Sequence, residues 1–167
     1  MSRGFVKEDD QEEAPIIPPR AALPPNEINY VTEFGFKELE TEREELQSSI
    51  KNLNIEDERE RRRELAVLNG KLNLLQERII SARVLNLDEQ VKDEVRFGAK
   101  VEYQILPSNK PVTFQIVGVD EADVKKQKIA FVAPIAKAII GAKKNETVPF
   151  QLGNELRQVK IISINYQ

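Results

Sequence analysis

Two runs at helical spacing, apolar but for a single polar interruption at Arg43, constrain this chain more than any other feature. Phe36, Leu39, Arg43, Leu46, Ile50 and Leu53 follow one another at intervals of 3, 4, 3, 4 and 3, and Leu65, Leu68, Leu72, Leu75, Ile79 and Ala82 repeat those intervals. Such alternation keeps side chains on one stripe of an α-helix, the a/d seam of a coiled coil. Two stripes that must leave water, joined by a short polar connector, predict an antiparallel helical hairpin. Thr32 is placed to cap the first helix, and Asn54 to cap the second with Asp57 at its third position. Pairing Ile50 with Leu65 puts the fold-back near Asp57.

The hairpin also explains the composition. Charged residues make up 32% of the 167, more than the quarter usual for a globule. Between Lys37 and Arg83 stand 10 Lys/Arg and 11 Asp/Glu, so the excess lies in the arms and nearly cancels. The net charge of -3 and an arginine run interleaved with acids make a poor footprint for duplex nucleic acid. With no histidine and no cysteine, disulfides, Cys/His zinc sites, a cysteine nucleophile and a Ser-His-Asp triad are excluded. A metal held here would be a hard cation on carboxylates, such as magnesium. The N-terminus carries acids where a signal peptide needs an apolar run, which predicts a soluble, cytoplasmic protein without a membrane partner.

Residues 1–29 hold five of the nine prolines together with Glu8, Asp9, Asp10, Glu12 and Glu13, the composition of an extended, disordered arm. The hairpin takes 30–86 and a polar linker 87–93. From 94 to 167 the period shortens to two. Strands are expected around Phe97–Leu106, Val112–Val119, Lys128–Val132, Thr147–Leu152 and Gln158–Tyr166, with one short helix from Pro134 to Gly141. The fold class is α+β: a helical hairpin followed by a small antiparallel sheet with one helix.

Two places offer chemistry. At the hairpin tip, Glu56, Asp57, Glu58 and Glu60 put four acids in five residues. At the end of a stiff lever they could complete the coordination of a magnesium ion presented by another molecule; equally, they complement the helix macrodipole and pair with Arg59, Arg61, Arg62 and Arg63. In the C-terminal part, Asp120, Glu121 and Asp123 stand in a strand-connecting loop suited to a basic partner helix. No base or activated nucleophile accompanies them. Val67, Leu74 and Ile80 lie outside the seams, where they would serve a coiled-coil adaptor or pack on the C-terminal domain.

Tyr30-Val-Thr-x-x-Gly35 before the first helix, then Phe97-Gly-Ala-Lys-Val, Ile116-Val-Gly-Val-Asp-Glu-Ala-Asp123 and Ala133-Pro-Ile-Ala-Lys-Ala-Ile-Ile-Gly141 resemble the Gre family of bacterial transcript-cleavage factors. The resemblance implies an FKBP-like C-terminal domain that docks on RNA polymerase at the rim of its secondary channel. The hairpin would enter that channel as a monomer, meeting nascent RNA and template indirectly. Asp120, Glu121, Ala122, Asp123, Pro134, Ile135 and Ala136 match the docking motifs, with Ala133 where the family has serine. Asp57 and Glu60, assisted by Glu56 and Glu58, are the nearest counterparts of the acids that share magnesium with the polymerase, and the protein would be an accessory factor with no cofactor of its own. The family's tip signature Gly-Asp-Leu-x-Glu-Asn-Ala-Glu-Tyr is missing. Thr32 to the fold-back spans about 25 residues, or ~37 Å, shorter than in cleaving members. Occupancy of the channel without cleavage is therefore the alternative, and an FKBP-like fold also admits a prolyl isomerase, against which most of the aromatics fall at core positions.

Overall fold

A computed structural model describes residues 13–166. Helix α1 spans Glu33–Lys51 and helix α2 Glu58–Ser81, with 19 and 24 residues, or about 28 and 36 Å of rod. The seams do what their spacing demands: Leu39, Leu68 and Leu75 are buried, and Phe36, Leu46 and Ile79 pack beside Leu39 and Leu75. Thr32 caps α1 by accepting the Gly35 N–H at 2.9 Å. The second cap differs from expectation. Asp57, not Asn54, has extended backbone there and accepts the Glu60 N–H at 2.7 Å. An N-cap oxygen must reach a donor two or three residues on, and with α2 beginning at Glu58 only Asp57 is in register.

The feet of the hairpin are sewn together by two short parallel strands, β1 (Tyr30–Val31) and β2 (Arg83–Val84). The remaining strands are β3 (Lys100–Ile105), β4 (Val112–Val117), β5 (Lys128–Ala130), β6 (Thr147–Leu152) and β7 (Glu155–Asn165), in sheet order β5-β4-β3-β7-β6. Within this five-stranded sheet every pairing is antiparallel except β4 with β5, so the expected antiparallel sheet is mixed at one edge. The connection through the acidic loop and a short 3-10 turn at Val124–Lys126 returns β5 in the direction of β4. Helix α3 (Pro134–Ile139) has proline in its first turn and buries Ala136 and Ile139. Val95, Val101, Ile116, Val159 and Ile161 are wholly enclosed, each contributing ~1.5–3 kcal/mol by burial.

Two expectations about the connecting segments need correction. The 87–93 linker is partly docked, since a 3-10 turn spans Leu87–Glu89 and Leu85 and Leu87 pack on the C-terminal core. The arm is extended, as its prolines require, and most of residues 13–29 are exposed, but it is anchored to the folded chain at particular residues. Leu23 packs on the C-terminal core, and Ile17, Pro19 and Leu23 share a groove with Leu74 and Arg78 of α2. Ile17 stands over Gly70 of α2 while Ile16 stays exposed, an attachment by single residues that average composition does not reveal. The arm's acids before Glu13 lie outside the described residues. No helix of the described chain is long and apolar enough to cross a membrane.

Candidate functional site

The two domains meet on the loop after β4, where the acidic motif sits. Gly118 opens that loop, and a Cβ there would stand 2.7 Å from the Tyr30 carbonyl oxygen. Only glycine lets the foot of the hairpin lie this close. Tyr30, Phe97 and Phe131 then cluster with ring centroids 5.7–6.0 Å apart, Phe131 meeting the other two edge to face and Tyr30 tilted at 49° to Phe97, geometries favoured by aromatic quadrupoles.

Asp120 and Glu121 follow, and both turn inward. Their side chains are 8% and 5% exposed. Glu121 accepts from the Thr32 hydroxyl at 2.5 Å and from Lys128 Nζ at 2.8 Å. The same hydroxyl accepts the Gly35 N–H, so the C-terminal domain holds the first helix by its cap. Lys128 also lies 4.2 Å from the centre of the Phe34 ring, a cation–π contact. Asp120 binds Arg20 Nε through Oδ1 at 2.9 Å and faces Arg78 Nε at 3.6 Å. Arg20 also grips Glu42 of α1 with both terminal nitrogens, at 2.7 and 3.0 Å. The Glu42 bond, more than the nearby Asp120 charge, raises the Arg20 pKa against the opposing effect of burial. Asp120 and Glu121 are thus joints of the molecule, a role that sequence reading missed because their partners lie 100 and 89 positions away.

Of the other motif residues, Asp123 caps the turn at Val124–Lys126 by accepting the Lys125 N–H at 2.9 Å, and Ala122 is half-buried. Pro134 is exposed, Ile135 half-buried and Ala136 buried beneath them. Ala133 sits at the N-cap of α3 and supplies no side-chain bond. Of the seven positions, Asp120, Glu121 and Ala136 thus face inward, and Asp123, Pro134 and Ile135 lead the outward surface, with Ala122 half-buried beside them.

At the far end of the hairpin Glu56, Asp57, Glu58 and Glu60 are all exposed. Among the described residues no three acids converge closely enough to hold a metal. These carboxylates are hard oxygen donors of the kind magnesium takes. Arg59, Arg62, Arg63 and Ala66 line a groove with Glu13, Ala14 and Pro15 of the arm. Of the apolar residues outside the seams, Leu74 lies under the arm, Val67 is half-buried and Ile80 is 84% exposed. Phe97, Tyr103, Phe131 and Phe150 are buried in the C-terminal core.

A charged hairpin joined by its cap and feet to a curled sheet defines a two-domain lever. Residues 90–166 match the family model described as "Transcription elongation factor, GreA/GreB, C-term". The transcription elongation factor GreA of Methylococcus capsulatus is 30% identical over 106 residues, covering 63% of this chain and 67% of that protein. GreA of Acidiphilium cryptum is 37% identical over 99 residues, covering 59% and 63%. The chain belongs to the GreA/GreB family of transcription elongation factors, and it spans 63% of the length of the Acidiphilium relative. Among solved structures, the GreA factor homolog 1 (Gfh1) of Thermus thermophilus aligns over 83% of this chain and 99% of its own, at 18% identity and a TM-score of 0.38.

Proposed function

We propose that this protein binds RNA polymerase through its C-terminal domain, inserts the hairpin into the secondary channel and promotes cleavage of backtracked transcripts. The observation that carries the reading is the exposed cluster Glu56, Asp57, Glu58 and Glu60 at the end of a lever fixed to a β domain. Asp123, Pro134 and Ile135 form the docking surface, with Ala122 and Ala136 supporting it. Asp120 and Glu121 act from behind by holding the loop and the first helix in one frame.

The chain contributes position and charge, and the nuclease activity belongs to the polymerase. Asp57 uses Oδ1 to cap α2, which fixes its carboxylate at the exposed tip. Glu60, three residues on, shares that side of the first turn, with Glu56 and Glu58 beside it. When bound between these acids and the polymerase, magnesium would supply Lewis-acid activation of the scissile phosphodiester and of water.

A second reading, occupancy of the channel without cleavage, is favoured by the 19-residue first helix. A backtracked elongation complex separates the two. The protein is expected to release a 3′ RNA fragment, and Glu56→Gln, Glu58→Gln and Glu60→Gln together are expected to abolish release while binding persists. Binding without fragment release by the parent protein would leave occupancy as the activity.

A further inference from the structure

The arm is the part of the described chain that the proposed activity does not use. Glu13–Pro15 lie beside Arg59, Arg62 and Arg63, Ile17 covers Gly70, and the Ala21 carbonyl accepts from Arg78. At Asn29 the side chain donates to the Arg78 carbonyl at 3.0 Å. Four residues of extended chain advance about 12 Å, as do eight residues of helix. From 13 to 21 the strap therefore keeps pace with α2. Gly70 makes the close approach possible, since a Cβ there would collide with Ile17.

Arg20 reaches farther than the rest. Glu42 lies ten residues beyond Thr32, about 15 Å up the first arm, whereas the Thr32–Glu121 bond and the Tyr30 ring cluster sit at the hairpin's foot. A restraint resists rotation in proportion to its distance from the pivot. A guanidinium bonded at once to Glu42 and Asp120 thus opposes swinging of the hairpin more effectively than the contacts at the foot. Its planar fork makes the bidentate Glu42 contact rigid.

We infer that the strap is a latch that holds the hairpin at one angle on the C-terminal domain, with Arg20 as its strut. The latch acts in the free protein and does not depend on any polymerase. Two arginines, Arg20 and Arg78, face two carboxylates, Glu42 and Asp120. Removing Arg20 leaves Asp120 opposite Arg78 and returns Glu42, already 41% exposed, to water. The strut can therefore be cut without burying an unpaired charge.

The sequence contains no cysteine, so Gln47→Cys on α1 and Lys125→Cys on the C-terminal domain give a clean pair of spin-label sites in the full chain. Pulsed electron–electron resonance is expected to give one narrow distance for this parent. With Arg20→Ala the narrow peak is lost to a broad, shifted distribution, and Arg20→Lys, which keeps the charge but not the fork, falls between. Glu42→Gln weakens the strut from the other side and is expected to broaden the peak in the same way, which decides the matter if Arg20→Ala fails to fold. An unchanged narrow peak in folded Arg20→Ala, or in Glu42→Gln if that is the variant that folds, overturns the latch.

Discussion

Thr32 and Glu121, 89 positions apart, share a hydrogen bond in which the threonine hydroxyl donates to the carboxylate at 2.5 Å. Because the hydroxyl also caps α1, the end of the hairpin and the β4–β5 loop are one structural unit. Thr32→Ala removes both bonds and is expected to lower stability by about 1–2 kcal/mol, whereas Thr32→Ser retains them. Denaturant unfolding checks this, and equal stability of the two variants would show that the hydroxyl has no such role.

Gly118→Ala places a methyl group against backbone, which cannot turn aside as a side chain can. The expected cost is about 1–3 kcal/mol, accompanied by loosening of the Tyr30–Phe131 contact. Loss of protection at the Arg83 and Leu85 amides, which bond to Asn29 and Val31, would register it in hydrogen exchange.

Ala133 heads α3 without a side-chain cap. Ala133→Ser is expected to raise stability by about 0.5–1 kcal/mol through a new bond to the first turn. A melting temperature equal to or below that of the parent would contradict this.

Burial raises the pKa of Tyr103 and of Tyr166 above the ordinary 10.0; for Tyr166 this outweighs the bond from the Arg96 N–H. The fold thus favours the protonated phenols. That stabilisation is complete below the ordinary value and is lost as pH rises through the raised one, so these tyrosines impose no slope from neutrality to about pH 9 and a falling one above 10. Tyr103→Phe is expected to flatten the alkaline decline in melting temperature, and an identical decline would exclude Tyr103 as a source.

The hairpin was legible because its signal is local: periodicities of three and four residues fix which side chains meet. The strands and α3 were legible for the same reason, down to Pro134 at the head of the helix. The strap was not. Its prolines and acids describe a chain that cannot build a core, yet a few residues, Ile17, Arg20 and Leu23, attach it to one built by others. Asp120 and Glu121 likewise look like solvated loop acids until Arg20, Thr32 and Lys128 are brought to them. Asn54 and Asp57 both satisfy cap chemistry, and the choice between them rests on where α2 begins.

The most direct test of the central claim places a photocrosslinker at Asn54, beside the tip acids, and adds the protein to a backtracked RNA polymerase elongation complex. The account predicts crosslinks to the interior of the secondary channel, lost when a known occupant of that channel is added in excess. Binding with crosslinks confined to the outer surface of the polymerase, or no binding at all, would contradict it.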